Sequence, residues 1–430
     1  MPLFLACLLL AACAGSGREE AVVEFWAMGR EGELVQELVP GFEERHPGVR
    51  VRVQQIPWSA AHEKIVTAYA GGAMPDVLQV GNTWIAELAV LGAIEPLGKE
   101  LAASGSGARE DWFPGVLEAG VVDGRTWALP WYVDTRLLFY RSDLLERAGA
   151  AQPPRTWSDW MEVMTRIREA GDSAHAILLP LGEWETPVIL ALQNGSHLLA
   201  DDDTRAAFQT PEFRGAFEFY VDLFRKGLAP TGSEAQAGSV YQGFAEGLFA
   251  FLVTGPWNLR EFRDRLPAEL ASDWTTAPMP AREGEGPGVS LALGASLAVA
   301  RTSTHREESW RWVEYLTEPA QQIAFYRSAG DLPARRSAWS DGGITEDPRA
   351  ASFFAQLARV VPPPRIPEWE RIAARIAQHA EAAIRGDATI DTALAALDAD
   401  ADRILEKRRW LRARDASDAS DAAADGAVNE

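Results

Sequence analysis

Two cysteines, Cys7 and Cys13, are all that 430 residues contain. A disulfide-stapled scaffold is thereby excluded for the body of the chain, whose stability has to come from buried apolar surface. Long apolar runs are missing as well; none reaches the roughly 18 residues that a membrane-spanning helix needs. Basic residues are in deficit, 41 Lys and Arg against 62 Asp and Glu, for a formal net charge of −21. Nucleic acid and anionic lipid surfaces both reward positive charge, so neither is expected as a partner. The histidines (His46, His62, His175, His197, His305, His379) are scattered without metal-ligand spacing, and His62-Glu63 lacks the second histidine of a zincin helix. There is no phosphate-cradling loop ending in Gly-Lys-Ser/Thr and no Gly-x-Ser-x-Gly elbow. Gly284-x-Gly286-x-Gly288 lies in a proline-containing loop with no strand before it. No enzyme activity, metal or cofactor is expected.

What is present suits a globular chain, 47% hydrophobic and 24% charged. At this length two lobes of ordinary domain size fit better than one core. Sixteen tryptophans are many; they can fill cores, or serve as stacking platforms for a flat ligand. At the N-terminus the apolar run Leu3 to Leu10 leads into Leu10-Ala11-Ala12-Cys13, which reads as an export signal with a processing site, although Met1-Pro2 supplies no basic residue. Cys7 falls within that signal, so the mature chain would keep Cys13 alone. From Asp415 onward five acids, no bases and few large apolar side chains predict a disordered tail.

Between these ends, strands and helices alternate. Glu20 to Trp26 reads as a strand. Leu34, Leu38 and Phe42 mark an amphipathic helix that Pro40 should split, and Val49, Val51 and Val53 mark a second strand. Ser59 and Thr83 are candidate helix caps around a short buried strand, Val77 to Val80. This order predicts an α/β lobe with a largely parallel sheet. Later signals include a helix over Trp157 to Ala170, and a Thr210-Pro211 cap before a helix with Phe213, Phe217, Tyr220 and Phe224 on one face. Thr304 with Glu307 reads as a capping box.

The stretch Thr126 to Leu145 organises the rest. Trp127, Leu129, Trp131 and Val133 alternate as in a strand, with Pro130 arguing for an edge or a bend. The polar Asp134-Thr135-Arg136 separates it from the apolar Leu137 to Tyr140. Two strands of one sheet, or a chain crossing between lobes, would both fit. The run Asp123 to Leu145, DGRTWALPWYVDTRLLFYRSDLL, resembles the hinge-crossing segment of the extracellular solute-binding proteins of bacterial sugar ABC importers, the maltose/trehalose-type family. Further matches run from about Val22 to about Trp339.

The resemblance implies an α/β two-lobe periplasmic-binding-protein fold with a hinge and an interlobe ligand cleft. Residues 1–12 would be a signal peptide and 13–20 a linker lipidated at Cys13. Residues 21–130 and 289–332 would form lobe 1, residues 131–288 and 333–414 lobe 2, and 415–430 the acidic tail. It implies a monomer outside the cytoplasmic membrane that delivers a carbohydrate to the membrane permease of an ABC transporter, held to the membrane only by its lipid. Ligand-contacting positions carried over are Trp26, Arg30 and Glu31 after the first strand; Asn82, Thr83 and Trp84 in a second loop; Tyr132 and Asp134 in the crossing segment; and Trp257 after Gly255-Pro256. Arg136 would neutralise Asp134 or touch ligand. Trp184 and Glu185 are far-lobe candidates. Gly294 and Ser296 fall where relatives often carry two glycines, and Gly330-Asp331-Leu332-Pro333 with Arg335 matches a late motif read as a structural turn. A secreted glycoside hydrolase, with two carboxylates about 5–9.5 Å apart across a cleft, is the chief alternative, ahead of an adhesin without a small-ligand pocket.

Overall fold

A computed structural model describes residues 20–103, 109–171, 173–232, 239–284 and 286–414. The export signal, Cys13 and the acidic tail lie outside the described residues. In chain order the strands begin with β1 (Ala21–Met28), β2 (Val49–Ile56), β3 (Val77–Gly81) and the small hairpin β4 (Val121–Val122) and β5 (Arg125–Thr126). Next come β6 (Leu129–Asp134), β7 (Leu137–Arg141), β8 (Ile177–Leu178), and the hairpin β9 (Leu199–Ala200) and β10 (Arg205–Ala206). Then follow β11 (Phe251–Thr254), β12 (Trp274–Ala277), β13 (Ser290–Leu291), β14 (Leu293–Val299), β15 (Leu332–Pro333) and β16 (Val360–Val361).

Two sheets divide these strands into two α/β lobes. A six-stranded sheet runs β15-β6-β14-β3-β1-β2, and a four-stranded sheet runs β12-β7-β11-β8. The chain therefore crosses from one sheet to the other between Asp134 and Leu137, so the polar kink is an interlobe connection. The expected lobe boundary at 130/131 moves accordingly: β6 stays paired with β14 as far as Asp134 opposite Leu293, and Pro333 still pairs with Tyr132. The return boundary at 289 also shifts, since β13 pairs with β16 and only Leu293 enters the six-stranded sheet. Pro130 pairs opposite Ser296 directly beside a register shift in β6–β14, a bulge that skips Trp131, the kind of irregularity at which sheets admit proline. The expectation of a largely parallel sheet holds for β2-β1-β3 only, because β14 returns from the other lobe antiparallel to both β3 and β6.

Local signals were obeyed unevenly. Pro40 does split its helix, into Gly29–Leu34, a 3-10 turn Val35–Leu38, and Val39–Arg45. Thr156 and Asp159 form a reciprocal capping box for Trp157–Ala170, and the Thr210 hydroxyl caps Pro211–Arg225. Ser59, Thr83 and Thr304 do not cap. The helix Trp58–Gly71 starts one residue before Ser59, Asn82–Trp84 is itself a 3-10 turn, and His305 precedes Arg306–Leu316 with its own N–H donated to Ser303 Oγ.

Eleven of the sixteen tryptophans are buried, among them Trp131 and Trp312 against the first sheet and Trp160 and Trp369 in the second lobe. One apolar cluster lies under the crossing itself, joining Val133, Leu137 and Leu332 to Trp112, Trp339 and Phe353. The connection between lobes is thus seated on packed core rather than strung through solvent.

Candidate functional site

Between the two sheets, where β6 leaves the first and the chain enters the second, lies a cavity of about 510 Å³. Tyr132 and Asp134 are two apart on β6 and so share its cavity face. A chain of hydrogen bonds holds the tyrosine. The Met28 N–H donates to Gln79 Oε1 at 2.7 Å, Gln79 Nε2 donates to the Tyr132 hydroxyl at 3.0 Å, and that hydroxyl donates to Glu31 Oε1 at 3.2 Å. Trp58 Nε1 donates to the other Glu31 oxygen at 3.3 Å. Burial pushes the Glu31 carboxyl up, against the pull of these donors, and burial together with the Glu31 charge pushes the Tyr132 phenol well up.

The second half of the site is built around Arg136. One guanidinium nitrogen donates to both Asp134 oxygens (3.1 and 3.0 Å) and the other to Glu185 Oε1 at 3.0 Å. The three side chains are only 12%, 17% and 16% exposed. Burial raises the Asp134 carboxyl in spite of the adjacent guanidinium. The Arg136 guanidinium also lies over the Trp257 ring, 4.6 Å from its centroid. Gly255 makes room for that ring: a Cβ there would sit 1.9 Å from Trp257 Cζ3 and 2.6 Å from Asp134 Oδ1. Trp257 remains 40% exposed.

The first lobe supplies Thr83 and Trp84 to the cavity, with Trp84 tilted against Trp58 at 5.8 Å. Asn82 reaches the wall, but its amide is spent on structure. Nδ2 donates to the Leu293 carbonyl and Oδ1 accepts from Ser296 Oγ at 2.8 Å. Ser296 is fully buried beneath that contact and does not line the cavity. Gly294 does line it, at φ +110, where a Cβ would meet the Tyr132 carbonyl at 2.6 Å and the Asp134 nitrogen at 2.8 Å. On the far lobe Trp184 lines the cavity and packs edge-to-face on Trp369, beside Glu185.

Besides Ser296, two more residues singled out in the sequence lie outside the cavity lining. Trp26 points to the face of β1 covered by the helix Trp58–Gly71, in a cluster with Met28, Ile56 and Ile65, and Lys64 covers its ring at 4.5 Å. Strand parity is the reason: Trp26 and Met28 share that face, while Phe25 and Ala27 take the other. Arg30 sits at the rim, 52% exposed and 3.9 Å from Glu261 of the second lobe. Arg335 is structural as expected, stacked on Trp112 and donating to the Thr317 carbonyl.

Trp58 and Glu370 were not anticipated as cavity residues, and Asp331 was read with Gly330, Leu332 and Pro333 as part of a structural turn, a reading that its place in the cavity wall overturns. Trp58 follows β2 at a strand-to-helix loop, the position at which open α/β sheets collect ligands, and that rule could have found it. Asp331 lines the cavity at 8% exposure, and among the described residues none donates a hydrogen bond to it. Burial, then the charges of Glu31 and Asp134, push its carboxyl well up. Glu370 arrives from the helix Trp369–Arg385, too far along the chain for any local pattern to place it.

Comparison with known proteins agrees with this architecture. The sequence profile described as bacterial extracellular solute-binding protein matches residues 28–323. The structure of the sugar-binding protein MalE from Xanthomonas citri superposes with a TM-score of 0.87 at 44% identity, over 91% of this chain and 99% of that one. A binding protein of Brucella abortus is 26% identical over 412 residues, 94% of this chain and 97% of its own length. A mannitol-binding protein of Pseudomonas aeruginosa is 24% identical over 387 residues, 84% of this chain and 88% of its own.

Proposed function

Since this chain belongs to the bacterial extracellular solute-binding proteins, non-catalytic proteins that work outside the cytoplasm, we propose that its cleft binds a carbohydrate for uptake by an ABC importer. The glycoside hydrolase alternative lapses with that membership. One observation carries the reading: a cavity between two lobes walled by Trp58, Trp84, Trp184 and Trp257 and floored by carboxylates. Indole faces suit the apolar faces of sugar rings, and carboxylates accept the hydrogen bonds of hydroxyls. A sugar touching both lobes raises the closed population because only that state offers both sets of contacts. The permease subunits would then engage the closed monomer, and Cys13 would carry the lipid that keeps it at the membrane.

Thermal unfolding against a panel of mono- and disaccharides tests the reading. A ligand at 100 times its dissociation constant adds about 2.7 kcal/mol; a flat response to every sugar would refute it. With a responding sugar in hand, Trp257→Ala should weaken binding by about 1–3 kcal/mol, as truncated aromatic anchors do. Unfolding should stay cooperative, because the ring is 40% exposed. Unchanged affinity by calorimetric titration would remove Trp257 from the site.

A further inference from the structure

Donors and acceptors are unevenly supplied in this cavity. Arg136 is engaged by Asp134 and Glu185, the Asn82 amide by Leu293, and the Tyr132 hydroxyl and the Trp58 indole by Glu31. The Thr83 hydroxyl and the remaining indoles are uncommitted lining donors, and Arg136 and Asn82 keep only the N–H groups left over from these bonds. Acceptors are in surplus. Five carboxylates (Glu31, Asp134, Glu185, Asp331 and Glu370) line the cavity against the single guanidinium of Arg136. Asp331 decides the matter, being more than nine-tenths buried, part of the cavity wall and without a donor among the described residues. An ionised carboxyl so enclosed needs a compensating charge or hydrogen bonds.

A neutral sugar answers this poorly, because each hydroxyl offers one donor and brings two acceptor lone pairs that need donors in return. An ammonium brings three donors, no acceptor and a positive charge, and tryptophan faces attract it as well. A metal ion would meet the charge too, but no metal-holding group of three His, Cys, Asp or Glu occurs among the described residues. We propose that the ligand is a carbohydrate bearing a protonated amino group, with the ammonium seated against Asp331 and Glu31. This rests on the reading of the cleft as a carbohydrate site.

The proposal sets a sign for pH dependence. In the empty cleft burial and like charge hold the Asp331 carboxyl well above its usual range, and burial raises Glu31. Both therefore carry protons at pH values where free carboxyls do not, and a docking ammonium expels them. Affinity should rise as pH increases through the raised carboxyl range, and fall again once the ligand amine loses its own proton. Arg30 at the rim is the nearby cation that opposes the raised values.

The experiment uses matched sugars: glucosamine, N-acetylglucosamine and glucose, then 2-amino-2-deoxytrehalose and trehalose. Each is titrated calorimetrically at pH 5, 6 and 7, in two buffers of different ionisation heat. The free amine of each set should bind at least tenfold more tightly than its neutral counterparts and should release protons. Asp331→Asn, which keeps the shape, should erase that preference by weakening the amine at least tenfold more than it weakens the neutral sugar. Glu370→Gln, from the helix Trp369–Arg385, serves as a second variant, expected to cost the amine less. A neutral sugar that binds as tightly as its amine, or equal losses of both in Asp331→Asn, overturns the inference and leaves the carbohydrate reading standing. No binding by any sugar overturns both.

Discussion

Arg136→Met should destabilise the protein by about 3–5 kcal/mol, the cost of removing one partner from a buried ion network. The arginine ties Asp134, at the end of β6, to Glu185 on the second lobe, with all three side chains less than a fifth exposed. Methionine keeps the apolar stem over Trp257 and leaves two enclosed carboxylates without a cation. The Asp134 carboxyl, which burial already raises and Arg136 holds down, then titrates further upward in the folded state, while the unfolded chain keeps an ordinary carboxylate value near about 4. A carboxyl raised in the folded state destabilises it above that range, and the loss fades as pH falls towards the unfolded value. The gap to wild type in urea midpoint should therefore be wide at pH 8 and narrow at pH 4.5. A midpoint unchanged at pH 8 would mean that the network contributes nothing net, and a gap independent of pH would assign the loss to packing instead.

Gly294→Ala is expected to cost about 2–5 kcal/mol, from backbone strain and overpacking together. Its φ of +110 is one that side-chain-bearing residues rarely adopt, and the added methyl would press on the Tyr132 carbonyl and the Asp134 nitrogen. Both obstacles are backbone of the adjacent strand, so no side chain can swing aside. The strand that gives way is the one that carries Tyr132 and Asp134, so sugar affinity should fall alongside stability. Chemical unfolding and titration of the same preparation check both. A stable variant with normal affinity would show that β14 accommodates the methyl, and that the glycine is not required at this crossing.

These two positions also show what the sequence could disclose. Tyr132 and Asp134 were named by the resemblance, while the period of two and the polar break marked only the strand end on which they sit. Gly294 was legible only as a motif, since its conformation depends on how closely β14 approaches β6. Trp26 misled because a strand-end position names a neighbourhood but not a face, and its parity turns it towards Lys64. Ser296 misled because its hydroxyl is consumed by Asn82. Asp331 and Glu370 come from segments long after the crossing; only the three-dimensional return of the chain brings them to Tyr132. The cap signals divided similarly. Thr210 had a helix starting where the local pattern said, whereas at Asn82–Trp84 a 3-10 turn took the place of the first helical turn.

The return of β14 also orders events in time. The four-stranded sheet draws on residues 137–277, one contiguous stretch. The six-stranded sheet must wait, because Val77 at its centre pairs with Val299 and Tyr132 with Pro333. Closing such distant pairs carries a large loop entropy before any contact rewards it. As the chain emerges from N- to C-terminus, the sheet that begins first is therefore completed last. The strands β1 to β3 spend that interval with one sheet edge unpaired, and the interlobe cavity is lined in full only once the final third of the polypeptide has arrived.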